Sequence, residues 1–79
     1  MDKAYVLINC DLGHEEETLN ELRSIENVIE AHGTFGAYDI VAEVNAMTPD
    51  ILRETITWKI RKLSKVRSTL TLKGIEHQV

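Results

Sequence analysis

The groups best placed to recognise a small molecule lie in Gly33-Thr34-Phe35-Gly36-Ala37-Tyr38-Asp39, which leads into the apolar run Ile40-Val41-Ala42-Glu43-Val44. Two glycines bracket an aromatic, and glycine reaches positive φ without steric cost while letting a ligand or another chain approach the main chain. The segment reads as a hairpin that presents a tyrosine and a carboxylate beside exposed backbone. No nucleophile stands next to a base here, so the chemistry on offer is binding rather than catalysis.

Other reactive side chains are sparse. Of His14, His32 and His77, only His14 has a partner at a ligand-like spacing, Glu17, and that pairing is common on a helix face. No metal site and no cofactor are expected. His32, near the loop, reads either as a hydrogen-bonded or solvated histidine or as a pH-sensitive contact to a ligand or neighbour. Catalysis of the kind found in small plait enzymes needs a positioned acid or base in a deep apolar cavity. Asp39 with His32 is the one pairing that proximity allows, and an aromatic content of 5% leaves little to line such a cavity. A non-enzymatic chain without catalytic residues is expected. Cys10 is alone, which excludes an internal disulfide, and at the end of an apolar strand it reads as a small buried hydrophobe.

The elements that must position the loop follow from periodicity. Residues 4–10, Ala-Tyr-Val-Leu-Ile-Asn-Cys, predict a strand covered on both faces. His14 to Ile25 places Leu19, Leu22 and Ile25 at helical spacing behind Glu15, Glu16 and Glu17, an amphipathic helix. Val28 to His32 and Tyr38 to Asn45 read as the strands either side of the glycine loop. Thr48-Pro49-Asp50 is a helix start, with a hydroxyl at the N-cap and proline at the first helical position. Leu52, Ile56, Ile60 and Leu63 then form one stripe of a helix over about residues 49–63. Val66 to Gly74 alternates as a half-covered strand.

The order β-α-β-β-α-β predicts a ferredoxin-like α+β plait, an antiparallel four-stranded sheet with both helices on one face and the first strand between the third and fourth. If Val6, Ile8, Ile40, Val44, Leu70 and Leu72 face the helices, the open face carries Tyr5, Leu7, Asn9, Asp39, Val41, Glu43, Thr69 and Thr71. Such a face suits a sheet-to-sheet dimer with a polar rim able to hold a small ligand; the other reading is a wet face on a monomer.

Composition sets bounds on partners. A chain of 79 residues is one domain, residues 1–79, in the range where about 60% of the unfolded surface is buried and a partner subunit helps. The net charge of −4 argues against a general affinity for nucleic acid. No apolar run approaches the ~18–20 residues of a membrane span, and the start Met1-Asp2-Lys3 has no signal-peptide character, so a cytoplasmic chain without membrane contact is expected. Lys59, Arg61, Lys62, Lys65 and Arg67 cluster, as do Glu15, Glu16 and Glu17; both groupings read as complements to helix dipoles or as an electrostatic patch. Trp58 falls off the helical stripe near Ile51, either as an interface residue or as a cap on the edge of its own core.

With Gly36-x-Tyr38-Asp39-Ile40-Val41 after a valine-initiated strand, and Val66-Arg67-Ser68-Thr69-Leu70-Thr71-Leu72 after the second helix, the chain resembles the effector-binding domain of the Lrp/AsnC (feast/famine) transcriptional regulators. The resemblance runs from about residue 4 to about residue 75. It implies a dimeric α+β barrel assembly through the sheets, higher rings, commonly octamers, and an amino acid or similar effector bound between dimers. The implied site residues are Gly36, Tyr38, Asp39, Thr69 and Thr71 with Thr34, and Gly33 and Phe35 as neighbours. A carboxylate there would accept from an α-ammonium group, free loop N–H groups would hold an α-carboxylate, and hydroxyls would serve either. Family regulators carry an N-terminal helix-turn-helix, and here the first strand begins at about residue 4; the resemblance is to the stand-alone domain, which would sense a metabolite, form homo-oligomers or assemble with full-length Lrp/AsnC regulators.

Overall fold

Every second residue of the first strand is withdrawn from water: Ala4, Val6, Ile8 and Cys10 are buried, and so are Ile40, Ala42, Val44 and Ala46 of the third. That period of two builds one side of a sheet core. The structure is a computed structural model and describes residues 1–73. Its elements are β1 (Asp2–Cys10), α1 (Glu15–Arg23), β2 (Val28–Gly33), β3 (Ile40–Ala46), α2 (Pro49–Glu54) continuing into a π-helical segment (Thr55–Ile60), and β4 (Val66–Lys73). The sheet is antiparallel with the order β2-β3-β1-β4, as the plait requires. α1 packs against β2 and β3, and α2 against β3 and β1.

The helices start and end where their sequences direct. The Thr48 side chain accepts from the Ile51 N–H at 3.1 Å, with Pro49 at the first helical position. Three glutamates occupy the first turn of α1, where the helix dipole favours them. At its other end the Arg23 guanidinium donates twice to the Ala31 carbonyl, at 3.2 and 2.8 Å, and ties α1 to β2.

The second helix departs from the expected uniform helix over 49–63. Its apolar stripe, Leu52-Ile56-Ile60, lies at i, i+4 and i+8, a spacing that one face of a regular α-helix would also serve. The chain instead widens its turn, with the Arg61 N–H donating to the Ile56 carbonyl at 2.9 Å, and all three side chains stay buried. Thr55, also buried, donates its hydroxyl to the Ile51 carbonyl at 2.8 Å.

Two further expectations are corrected. β1 is covered on one face only within the chain: Tyr5 is 40% exposed, while Leu7 and Asn9 are half-buried. The faces of β4 are reversed. Thr69 lies opposite Ile8 and Thr71 opposite Val6, both on the helix side, whereas Leu70 pairs with Leu7 and Leu72 with Tyr5 on the open side. α2 packs chiefly on β3 and β1 and stands off from β4 across a cleft. The helix side of β4 is an uncovered edge that tolerates threonine, and its leucines extend an apolar patch on the open face with Tyr5, Leu7 and Val41.

Candidate functional site

β3 begins at Ile40, opposite Ile8, so Cys10 lies beyond the β1–β3 ladder and its N–H needs another acceptor. Asp39 supplies it: the carboxylate Oδ2 accepts from the Cys10 N–H at 3.0 Å, and the Asp39 N–H donates to the Ile8 carbonyl at 3.0 Å. Asp39 thus clamps the end of β1 with one oxygen, and no donor among the described residues is bonded to the other. Behind it the loop closes on itself. The Thr34 N–H donates to the Asp39 carbonyl at 2.9 Å, and the Thr34 hydroxyl donates to the Tyr38 carbonyl at 2.7 Å.

Gly36 sits at φ 113°, a conformation that disfavours any residue with a Cβ. Gly33, expected to share that role, ends β2 without a positive φ. Phe35 at the tip is fully exposed, and the N–H groups of residues 35–38 donate to no backbone carbonyl among the described residues. Gly36, Tyr38, Asp39 and Thr34 are therefore brought together as one polar loop.

Beside Asp39 opens a groove of about 400 Å³, lined by Asn9, Cys10, Asp39, Arg67 and Ser68. It sets a carboxylate and a guanidinium on one small surface. Arg67 reaches Asp11 only at 3.9 Å with both side chains largely in water, a pairing worth under about 1 kcal/mol and easily exchanged for a ligand. The Asn9 amide donates to the Ser68 hydroxyl at 3.5 Å. Arg67, Ser68 and Asn9 were not among the sequence candidates; the available signal was the strand order, which sets the start of β4 beside the end of β1 and hence beside the loop.

Thr69 and Thr71 stand apart from this groove. They face a second cleft, of about 520 Å³, between α2 with its π-helical continuation and the helix side of β4. The pairing of Asp39 with His32 is not formed, because Asp39 turns to Cys10 and His32 Nε2 lies 3.2 Å from Glu30 Oε1. His14 Nδ1 meets Glu17 Oε1 at 3.1 Å, and His77 lies outside the described residues. Among the described residues no group of three or more His, Cys, Asp or Glu is arranged to hold a metal ion, and no helix is long and apolar enough to cross a membrane. Cys10 is buried as expected, and burial raises its thiol pKa above 9.0. Trp58 is 64% exposed, with the Lys62 ammonium 5.2 Å from its ring centroid, so it does not cap its own core.

The family model of the Lrp/AsnC ligand binding domain matches residues 3–75. Among solved structures the chain is similar to FFRP-DM1, at 33% identity and a TM-score of 0.92 over 95% of this chain and 100% of that one. It is similar also to E. coli AsnC, at 25% identity and a TM-score of 0.89, covering 99% of this chain and 53% of AsnC. At 9% identity, which shows the fold alone, the transcriptional regulator NMB0573 of Neisseria meningitidis, solved as a complex with L-Met, aligns over 95% of this chain and 50% of its own with a TM-score of 0.84. No curated protein matches the sequence.

Proposed function

The chain belongs to the Lrp/AsnC ligand-binding domain family, and from that premise we propose that it is a cytoplasmic amino-acid sensor whose ligand occupies the groove beside the glycine loop. The observation that carries this reading is the placement of the Asp39 carboxylate and the Arg67 guanidinium on one groove of about 400 Å³. A free amino acid is a zwitterion. Its ammonium group finds an acceptor in the free oxygen of Asp39, and its carboxylate finds a planar two-donor partner in Arg67, helped by the N–H groups of the loop around Gly36 and Tyr38. Thr34 holds the loop in shape. The L-Met complex of the Neisseria regulator shows an amino acid bound by a protein of this fold, and supports the ligand class here.

Assembly belongs to the same reading. The open face, with Tyr5, Leu7, Val41, Leu70 and Leu72, forms a homodimer by meeting a second copy, and dimers close into a higher ring or mix with full-length Lrp/AsnC regulators. The test is a thermal-shift screen of the purified chain against the free amino acids. A ligand at 100 times its Kd adds about 2.7 kcal/mol, a shift of many degrees for a domain this small. Asp39→Asn and Arg67→Gln should each abolish the response. A flat screen on a chain that still assembles would leave a purely structural oligomerisation module.

A further inference from the structure

The cleft between α2 and β4 differs in chemistry from the groove beside Asp39. Its rim carries Arg53, Arg61 and Lys73, three of the nine basic residues of a chain whose net charge is −4, and no carboxylate lines it. Arg53 is held by Asp50 at 2.8 Å, whereas among the described residues Arg61 and Lys73 form no ion pair. Thr57, Thr69 and Thr71 line the same cleft, and its buried apolar residues are Ala4, Leu52 and Ile56. The volume of about 520 Å³ is in the range that holds a small organic molecule.

From this arrangement we propose that the α2–β4 cleft is a second binding site, for a small carboxylate with an aliphatic body and no ammonium group. Each part of the ligand has a counterpart. The carboxylate is held by Arg61 and Lys73 together, with threonine hydroxyls completing its hydrogen bonds, and the aliphatic body covers Leu52 and Ile56. An α-ammonium group would meet the unpaired cations Arg61 and Lys73, with Arg53 neutralised by Asp50 and no carboxylate in the lining, so the cleft selects against the zwitterion that the groove beside Asp39 favours. The site rests on its own lining and not on the glycine loop.

The test is a titration of the isotope-labelled full chain with 4-methylpentanoate at low salt, followed by amide NMR shifts, with 4-methylpentanamide, leucine and inorganic phosphate as parallel probes. Saturable shifts are expected in residues 52–57 and 69–73, with the amide, leucine and phosphate each binding at least about tenfold more weakly. Arg61→Gln and Lys73→Gln, both at exposed positions, should keep the melting temperature and each weaken 4-methylpentanoate by about tenfold. Equal binding of the neutral amide overturns the anion recognition, equal binding of phosphate overturns the aliphatic part, and equal binding of leucine overturns the exclusion of ammonium. No saturable shift, or shifts confined to the loop at residues 34–39, overturns the site itself. A flat amino-acid screen would leave this result standing, because the two sites share no lining residue.

Discussion

At the scale of single residues, Asp39 carries two duties that substitution can separate. One oxygen holds the Cys10 N–H, and the negative charge is what a ligand's ammonium would use. Asp39→Asn keeps a carbonyl oxygen for Cys10 and removes the charge. It should melt close to the parent and lose any stabilisation by amino acids. Asp39→Ala leaves the Cys10 N–H unpartnered and should cost about 1–3 kcal/mol in denaturant unfolding as well. An Asn variant as unstable as the Ala variant would show that the carboxylate's structural role depends on charge. Cys10 offers an independent check on the same corner. Burial raises its pKa above 9.0, with hydrogen bonding to Thr18 working in the opposite direction. The folded thiol therefore holds its proton after the unfolded one has lost it. Native stability contributed by this group is intact below about pH 9 and declines as pH rises through the folded value. Denaturant titrations at increasing alkaline pH should show that decline, and Cys10→Ala should remove it. What the sequence disclosed at this scale was the loop: G-x-Y-D with Thr34 marked a shaped polar turn, and Gly36 holds the positive φ expected of it. The nearness of Arg67 and Ser68 to Asp39 is not legible in the sequence, because it depends on strand pairing between segments 28 or more positions apart and not on local spacing.

The elements show why six regular segments were legible and one face was not. Each of β1, α1, β2 and β3 has its apolar period set by a core it touches, so pattern and structure agree within two residues at most boundaries. Thr48 and Pro49 fixed the start of α2 for the same local reason. The π-helical segment leaves no mark in the pattern, because an apolar repeat at i, i+4 and i+8 suits one face of a regular α-helix as well as a wider turn. Ile60 ends that segment. It is fully buried at the far end of the repeat, and Ile60→Ala should cost about 2–5 kcal/mol in urea unfolding. A cost near that of a surface substitution would mean that the widened turn does not press Ile60 into the core. β4 misled for a different reason. Alternation reports that a strand has one apolar side, but not which layer that side faces. With α2 packed chiefly on β3 and β1, the leucines of β4 face the open side and its threonines face the cleft.

At the scale of the molecule, that reversal changes what the sheet is for. With Leu70 and Leu72 added to Tyr5, Leu7 and Val41, the open face holds an apolar surface across three adjacent strands, β3, β1 and β4. A 79-residue chain sits where its own core gives little reserve of stability, so covering this face is worth more to it than to a larger domain. Folding coupled to dimer formation makes the melting temperature depend on protein concentration. Over about a hundredfold range of concentration the parent chain should melt several degrees higher at the top than at the bottom, with light scattering after size exclusion showing a dimer or larger species. Leu70→Asp puts a charge on the open face, where Leu70 is 45% exposed in the single chain and faces Leu7 across the strands. A lone chain tolerates that substitution, but a sheet-to-sheet interface would have to bury the carboxylate unpaired. The variant should therefore keep its circular dichroism, elute as a monomer and melt at one temperature whatever its concentration. If it assembles like the parent, the copies meet elsewhere, and the exposed Trp58 beside Ile51 becomes the surface to substitute next.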